Sequence, residues 1–111
     1  MKEIRFVNNP SLKEFKALPD KIKKRFANDL NALSQGKEVF SKTKSLGDTV
    51  GSGAIELIQN GKPAYRSVYV AKFGRAIYVL HSFVKTTNGV DRKAMATAKR
   101  RYSAMKDELK Q

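Results

Sequence analysis

Cysteine is absent from this 111-residue chain, and histidine occurs once, at His81. Without cysteine there is no disulfide, no thiolate nucleophile and no cysteine-based zinc site. One imidazole is too few for a conventional zinc centre or for a two-histidine ribonuclease. No metal and no cofactor are therefore expected. Acidic residues are scarce as well: 10 Asp plus Glu stand against 23 Lys plus Arg, a formal net charge of +13. Long apolar runs are missing. No stretch approaches the roughly 20 residues needed to span a bilayer. The start, Met1-Lys2-Glu3-Ile4-Arg5, lacks the apolar run of a signal peptide. A cytoplasmic protein with no membrane partner is the expectation.

Hydrophobic residues make up 41% of the chain, enough for a compact core. The length fits one domain over residues 1–111. A charge this positive points to a polyanionic partner, because each cation near a phosphate releases a condensed counterion. The same field would draw an acidic protein.

Residues 2–7 alternate Ile4 and Phe6 with Glu3 and Arg5, which predicts a short strand. Ser11 and Glu14 have capping-box spacing after Pro10, and Leu12, Phe15 and Leu18 line one helical face. A second helix is expected over about 20–34, on Ile22, Phe26, Leu30 and Leu33, ending at Gly36. The pair reads as a helical hairpin. Residues 37–53 read as a polar, glycine-bearing loop anchored by Leu46.

Three strands are expected at 54–59, 64–73 and 76–85, joined at Asn60-Gly61 and Gly74-Arg75. In the last of them, Ile77, Val79, His81, Phe83 and Lys85 should share a face. Asp91 can cap a final helix, about 91–110, with Ala94, Ala98, Tyr102, Met105 and Leu109 inward. The order β-α-α-β-β-β-α makes an α+β domain on a small antiparallel sheet.

Gly53-Ala54-Ile55-Glu56-Leu57, Tyr65-Arg66-Ser67-Val68-Tyr69 and the run from Ile77 to Thr86, with Ala98 and Arg101-Tyr102 in the last helix, resemble the phage-derived HigB-like branch of the RelE/ParE toxin superfamily. The likeness extends over nearly the whole chain. It implies the RelE-like fold and a toxin paired with a small antitoxin, of helix-turn-helix type, through which alone it would meet operator DNA. RelE and HigB members cut messenger RNA on the ribosome; ParE members poison DNA gyrase instead. The resemblance puts Arg66 where the nucleases keep a phosphate-binding arginine. Lys85 falls at their basic strand end, and Lys42 and Lys44 in the region of further lysines. Three positions depart from it. Ile58 stands where an arginine is usual, Thr86 where a second lysine is usual, and Gly89-Val90 where a proline commonly precedes the last helix.

Metal-free RNA cleavage needs a base for the 2′-OH, cations for the phosphorane and an acid for the 5′-oxygen. Arg66 is the candidate phosphate clamp, Lys85 a second stabiliser and Lys44 the candidate base, with Lys42 behind it. His81 qualifies as acid only if it faces the same groove. A lone histidine between Val79 and Phe83 is more often a hydrogen-bonded core residue. Glu56 is a candidate for orienting a neighbouring cation. Tyr65, Arg75, Lys99 and Arg100 complete the candidate RNA-binding set. The ordinary roles for these residues are cross-strand packing for a tyrosine and solvation for a helix face.

Overall fold

The computed structural model describes residues 1–110. In chain order its elements are β1 (Glu3–Phe6), α1 (Asn9–Lys16), α2 (Asp20–Ser34), β2 (Lys42–Ser45), β3 (Ala54–Gln59), β4 (Ala64–Val70), β5 (Ala76–Lys85) and α3 (Arg92–Leu109). The α+β class agrees with the sequence pattern. One cluster of buried side chains, including Phe15, Phe26, Leu30, Leu57 and Ile77, joins one sheet face to α1 and α2. The other joins the opposite face to α3 through Val68, Leu80, Ala98 and Tyr102. No helix among the described residues is long and apolar enough to cross a membrane.

The sheet is five-stranded, in the order β1-β5-β4-β3-β2. It is mixed rather than antiparallel, because β1 runs parallel to the first half of β5, from Glu3 beside Ala76 to Phe6 beside Val79. Strand direction follows from which edge the first strand can cover, and local alternation carries no record of that.

The extra strand is β2. Its residues pair antiparallel with Ile58 to Ile55, inside the stretch expected to be loop. All four β2 residues are exposed, so no apolar period announced it. It is held from both ends. Asp29 of α2, fully buried, accepts hydrogen bonds from the Phe40 and Ser41 N–H groups and from the Ser41 hydroxyl. Beyond the strand Leu46 and Val50 enter the core, Leu46 as expected. The Tyr102 hydroxyl donates to the Ser52 carbonyl at 2.8 Å.

Gly51 passes so close to the Tyr102 ring that a Cβ there would lie 2.3 Å from it. Gly51→Ala is therefore expected to cost about 1–3 kcal/mol. That would be read as a lower urea midpoint at unchanged slope. An unmoved midpoint would mean the loop has room to shift.

The expected single face of β5 does not survive. Its pairing with β4 slips by one residue: Val68 lies opposite His81 and Tyr69 opposite Val79, leaving Leu80 as the bulged residue. A one-residue insertion turns every later side chain over. Ile77 and Val79 face α1 and α2. His81, Phe83 and Lys85 share the other face with Val68 and Arg66.

At the N-terminus, Ser11 and Glu14 form no capping box. Asn8 caps α1 through its Oδ1 on the Ser11 N–H, at 2.8 Å. The Ser11 hydroxyl donates instead to the Val79 carbonyl at 2.7 Å. The two helices do not pack as a hairpin: α1 lies on β5, and α2 on β1 and β5. Since β1 covers only Ala76 to Val79, α1 shields the remaining edge of β5. Asp91 caps α3 as expected, its Oδ1 accepting from the Ala94 N–H at 3.0 Å. Leu109 is 46% exposed and lies outside the core.

Candidate active site

One corner of the sheet, on the α3 side, gathers cations from three strands, β2, β4 and β5, around a carboxylate of β3. Antiparallel pairing lines up side chains across strands. One row runs Lys44, Glu56, Val68, His81; the next runs Lys42, Ile58, Arg66, Phe83. Lys85 follows Phe83 by two residues, opposite Ala64. Arg66 and Lys85 thus share a face, which the bulge at Leu80 makes possible.

Glu56 sits at the centre and is only 7% exposed. Arg66 Nε lies 3.7 Å from its Oε1. Lys44, Lys85 and Asp91 line the same small cleft, about 60 Å³, together with Leu46 and Val90. Burial pushes the Glu56 carboxyl above the ordinary carboxylate range. Arg66, Lys44 and Lys85 work against that, and Asp91 adds to it. Desolvation wins because lost hydration is not replaced by hydrogen bonds. A carboxyl held high among cations is a common arrangement for a proton-transfer group.

Arg66 is itself buried, at 8% exposure. Its Nη1 donates to the Tyr65 carbonyl at 3.0 Å and its Nη2 to Asn60 Oδ1 at 3.3 Å. Its Nε is the one buried side-chain donor among the described residues with no hydrogen-bond partner. The guanidinium is thereby fixed in place beside Glu56, and Arg66 does not itself line the cleft. The Lys85 ammonium donates to the Thr87 carbonyl at 2.8 Å. Lys42 and Lys44 stand exposed on β2.

His81 lies elsewhere. Its Nδ1 is 2.8 Å from Glu14 Oε1, and its ring stacks on Phe83 with centroids 4.9 Å apart. Arg101 grips the same carboxylate, Nη1 at 2.8 Å and Nη2 at 2.9 Å, and donates to the Leu80 carbonyl at 2.9 Å. Burial tends to raise the Glu14 carboxyl. Hydrogen bonds from Arg101 and His81, and their charges, outweigh it and hold the group below the ordinary range. This trio ties α1, β5 and α3 together. The hydrogen-bonded, packed reading of His81 is the one that fits its surroundings.

The remaining candidates scatter. Tyr65 points to the opposite face, beside Leu18, Ser82 and Val84. Arg75 is at the far end of β5, near Met1 and Lys2. Lys99 is exposed on α3. Arg100 borders a groove of about 500 Å³ with Arg5, Tyr78 and Met105, away from Glu56. Of the RNA-binding set, only Lys42 joins the corner.

Two members have another role in the sequence: Glu56 is read there as orienting a neighbouring cation rather than as the central titrating group, and Asp91 only as a cap. For Glu56 a signal existed. A lone carboxylate at the inward position between Ala54 and Ile58 has to be buried. For Asp91 there was none.

A family model described as phage derived protein Gp49-like (DUF891) matches residues 13–103. A search of curated proteins finds no match.

Proposed function

We propose, since the chain belongs to the phage-derived Gp49-like family, a RelE/Gp49-type toxin family, that it is a toxin that cuts messenger RNA without a metal at the Glu56 cleft. The observation that carries this is the buried Glu56 carboxyl, raised above its usual range among Lys44, Arg66 and Lys85. Glu56 takes the 2′-OH proton. Lys85 in the cleft wall and Arg66 behind Glu56, at 3.7 Å, offset the charge gathering on the phosphorane. Lys44, directly across from Glu56, acts as the cationic donor toward the leaving 5′-oxygen rather than as the base.

The strand motifs shared with the HigB-like branch support ribosome-bound message as substrate. They also support a small helix-turn-helix antitoxin as partner, with operator DNA reached only through it. The +13 charge suits both. The test is controlled expression followed within minutes by mapping of messenger RNA 5′ ends. New cuts inside translated frames are the expected result. Intact message with double-strand DNA breaks would favour gyrase inhibition and sink the nuclease reading.

Ile58 lies between Lys42 and Arg66 in the cross-strand row, where the HigB-like pattern has a cation. Ile58→Arg is expected to add about one phosphate contact. The slope of log affinity against log salt for single-stranded RNA should then steepen by about 0.7. An unchanged slope would mean RNA does not cross this row.

A further inference from the structure

Next to the Glu56 cleft lies a second one, of about 220 Å³, lined by His81, Phe83, Asp91, Lys93, Ala94 and Thr97. The two clefts share Phe83 and Asp91. One wall is aromatic. The His81 and Phe83 rings are stacked, 23° from parallel, and His81 is kept from turning by Glu14. The other wall is polar. Asp91 Oδ1 accepts from the Ala94 N–H, one of about four acceptor positions on an ionised carboxylate, so both oxygens keep lone pairs for a ligand. The Lys93 side chain is at the exposed rim. Neither the fold nor the cleavage chemistry above accounts for this cleft.

A fixed aromatic wall beside a polar edge suits a flat, hydrogen-bonding heterocycle. We infer that this cleft is a nucleobase subsite selective for guanine, seating one base beside the phosphate in the Glu56 cleft. Its place next to a scissile phosphate rests on the nuclease reading; the binding itself does not. Guanine presents two adjacent donors, N1–H and the 2-amino group, to a single carboxylate, and its O6 to an ammonium. Adenine and cytosine offer that carboxylate one amino group, and uracil one N–H.

The test is an NMR titration of the full chain with the four ribonucleoside 5′-monophosphates and, separately, with inorganic phosphate. Guanosine monophosphate should move the amides of Phe83, Asp91, Ala94 and Thr97 at about tenfold lower concentration than the other three. Inorganic phosphate should move Lys44 and Lys85 and leave Thr97 in place. Asp91→Asn keeps a capping oxygen and should erase the tenfold preference. Phe83→Leu keeps apolar volume and should weaken all four nucleotides together.

Equal binding of the four nucleotides, shifts no different from those of phosphate, or a preference that persists in Asp91→Asn would each overturn the inference. If phosphate leaves Lys44 and Lys85 unmoved while guanosine monophosphate still moves Phe83 and Thr97, the subsite stands and the nuclease reading falls.

Discussion

Glu56→Gln should slow RNA cleavage about 10²–10⁴-fold, the range expected for losing a positioned proton-transfer group. Glutamine keeps the volume and one acceptor oxygen at this buried position, so loss of packing does not account for such a drop. What goes is the ability to take a proton. Single-turnover cleavage of a translated message is the measurement, with a denaturation curve on the same sample to show that the variant is folded. The parent rate should climb with pH through a carboxyl range shifted upward, as burial dictates for Glu56. The variant should lack that limb. Undiminished cleavage by Glu56→Gln would remove the base from the scheme.

Stability should run the other way over the same interval. A carboxyl whose pKa is raised by folding binds its proton more tightly in the folded state. Its stabilising contribution is full below the unfolded pKa and is lost as pH rises through the folded one. Activity gained with pH at Glu56 is thus accompanied by stability lost there.

Arg101→Ala is expected to cost about 2–3 kcal/mol. Three hydrogen bonds go at once, two to Glu14 and one to the Leu80 carbonyl in the bulge. Truncating one partner of a buried pair costs about 3–5 kcal/mol. The lower figure applies because the Glu14 side chain keeps 26% exposure, and water takes over part of the lost contact. Glu14 has a lowered pKa, so its contribution is present above the unfolded carboxyl pKa and lost as pH falls through the folded one. The gap between parent and variant should therefore narrow on acidification. Denaturant midpoints at neutral and acid pH give both numbers. A variant as stable as the parent, or a gap that fails to narrow, would show that the trio does not clamp the bulge.

Much of the architecture could be read in the chain. Phe26, Leu30 and Leu33 repeat at helical spacing because α2 buries one stripe. Asp91 marked the start of α3 because the first turn needs an acceptor. Ala54–Gln59 and Ala76–Lys85 kept their bounds because turns with glycine flank apolar runs. The convergence of Lys44, Arg66 and Lys85 was expected from the family likeness rather than from spacing. Strand β2 was invisible because its four residues are exposed and its anchors, Asp29 and Leu46, lie outside it. Ser11 and Glu14 matched a capping box, yet tertiary partners at Val79, His81 and Arg101 claimed them.

Charge, helix periods and turn chemistry are local, and they are written in residues a few positions apart. The face on which His81, Phe83 and Lys85 emerge is not local. It depends on whether β5 meets β4 with or without one extra residue at Leu80. That choice belongs to the packing of α1 and α3 against the sheet, through contacts such as Arg101 to Glu14. A one-residue register decision, made between strands, placed Lys85 beside Glu56 and Arg66 instead of across the sheet from them.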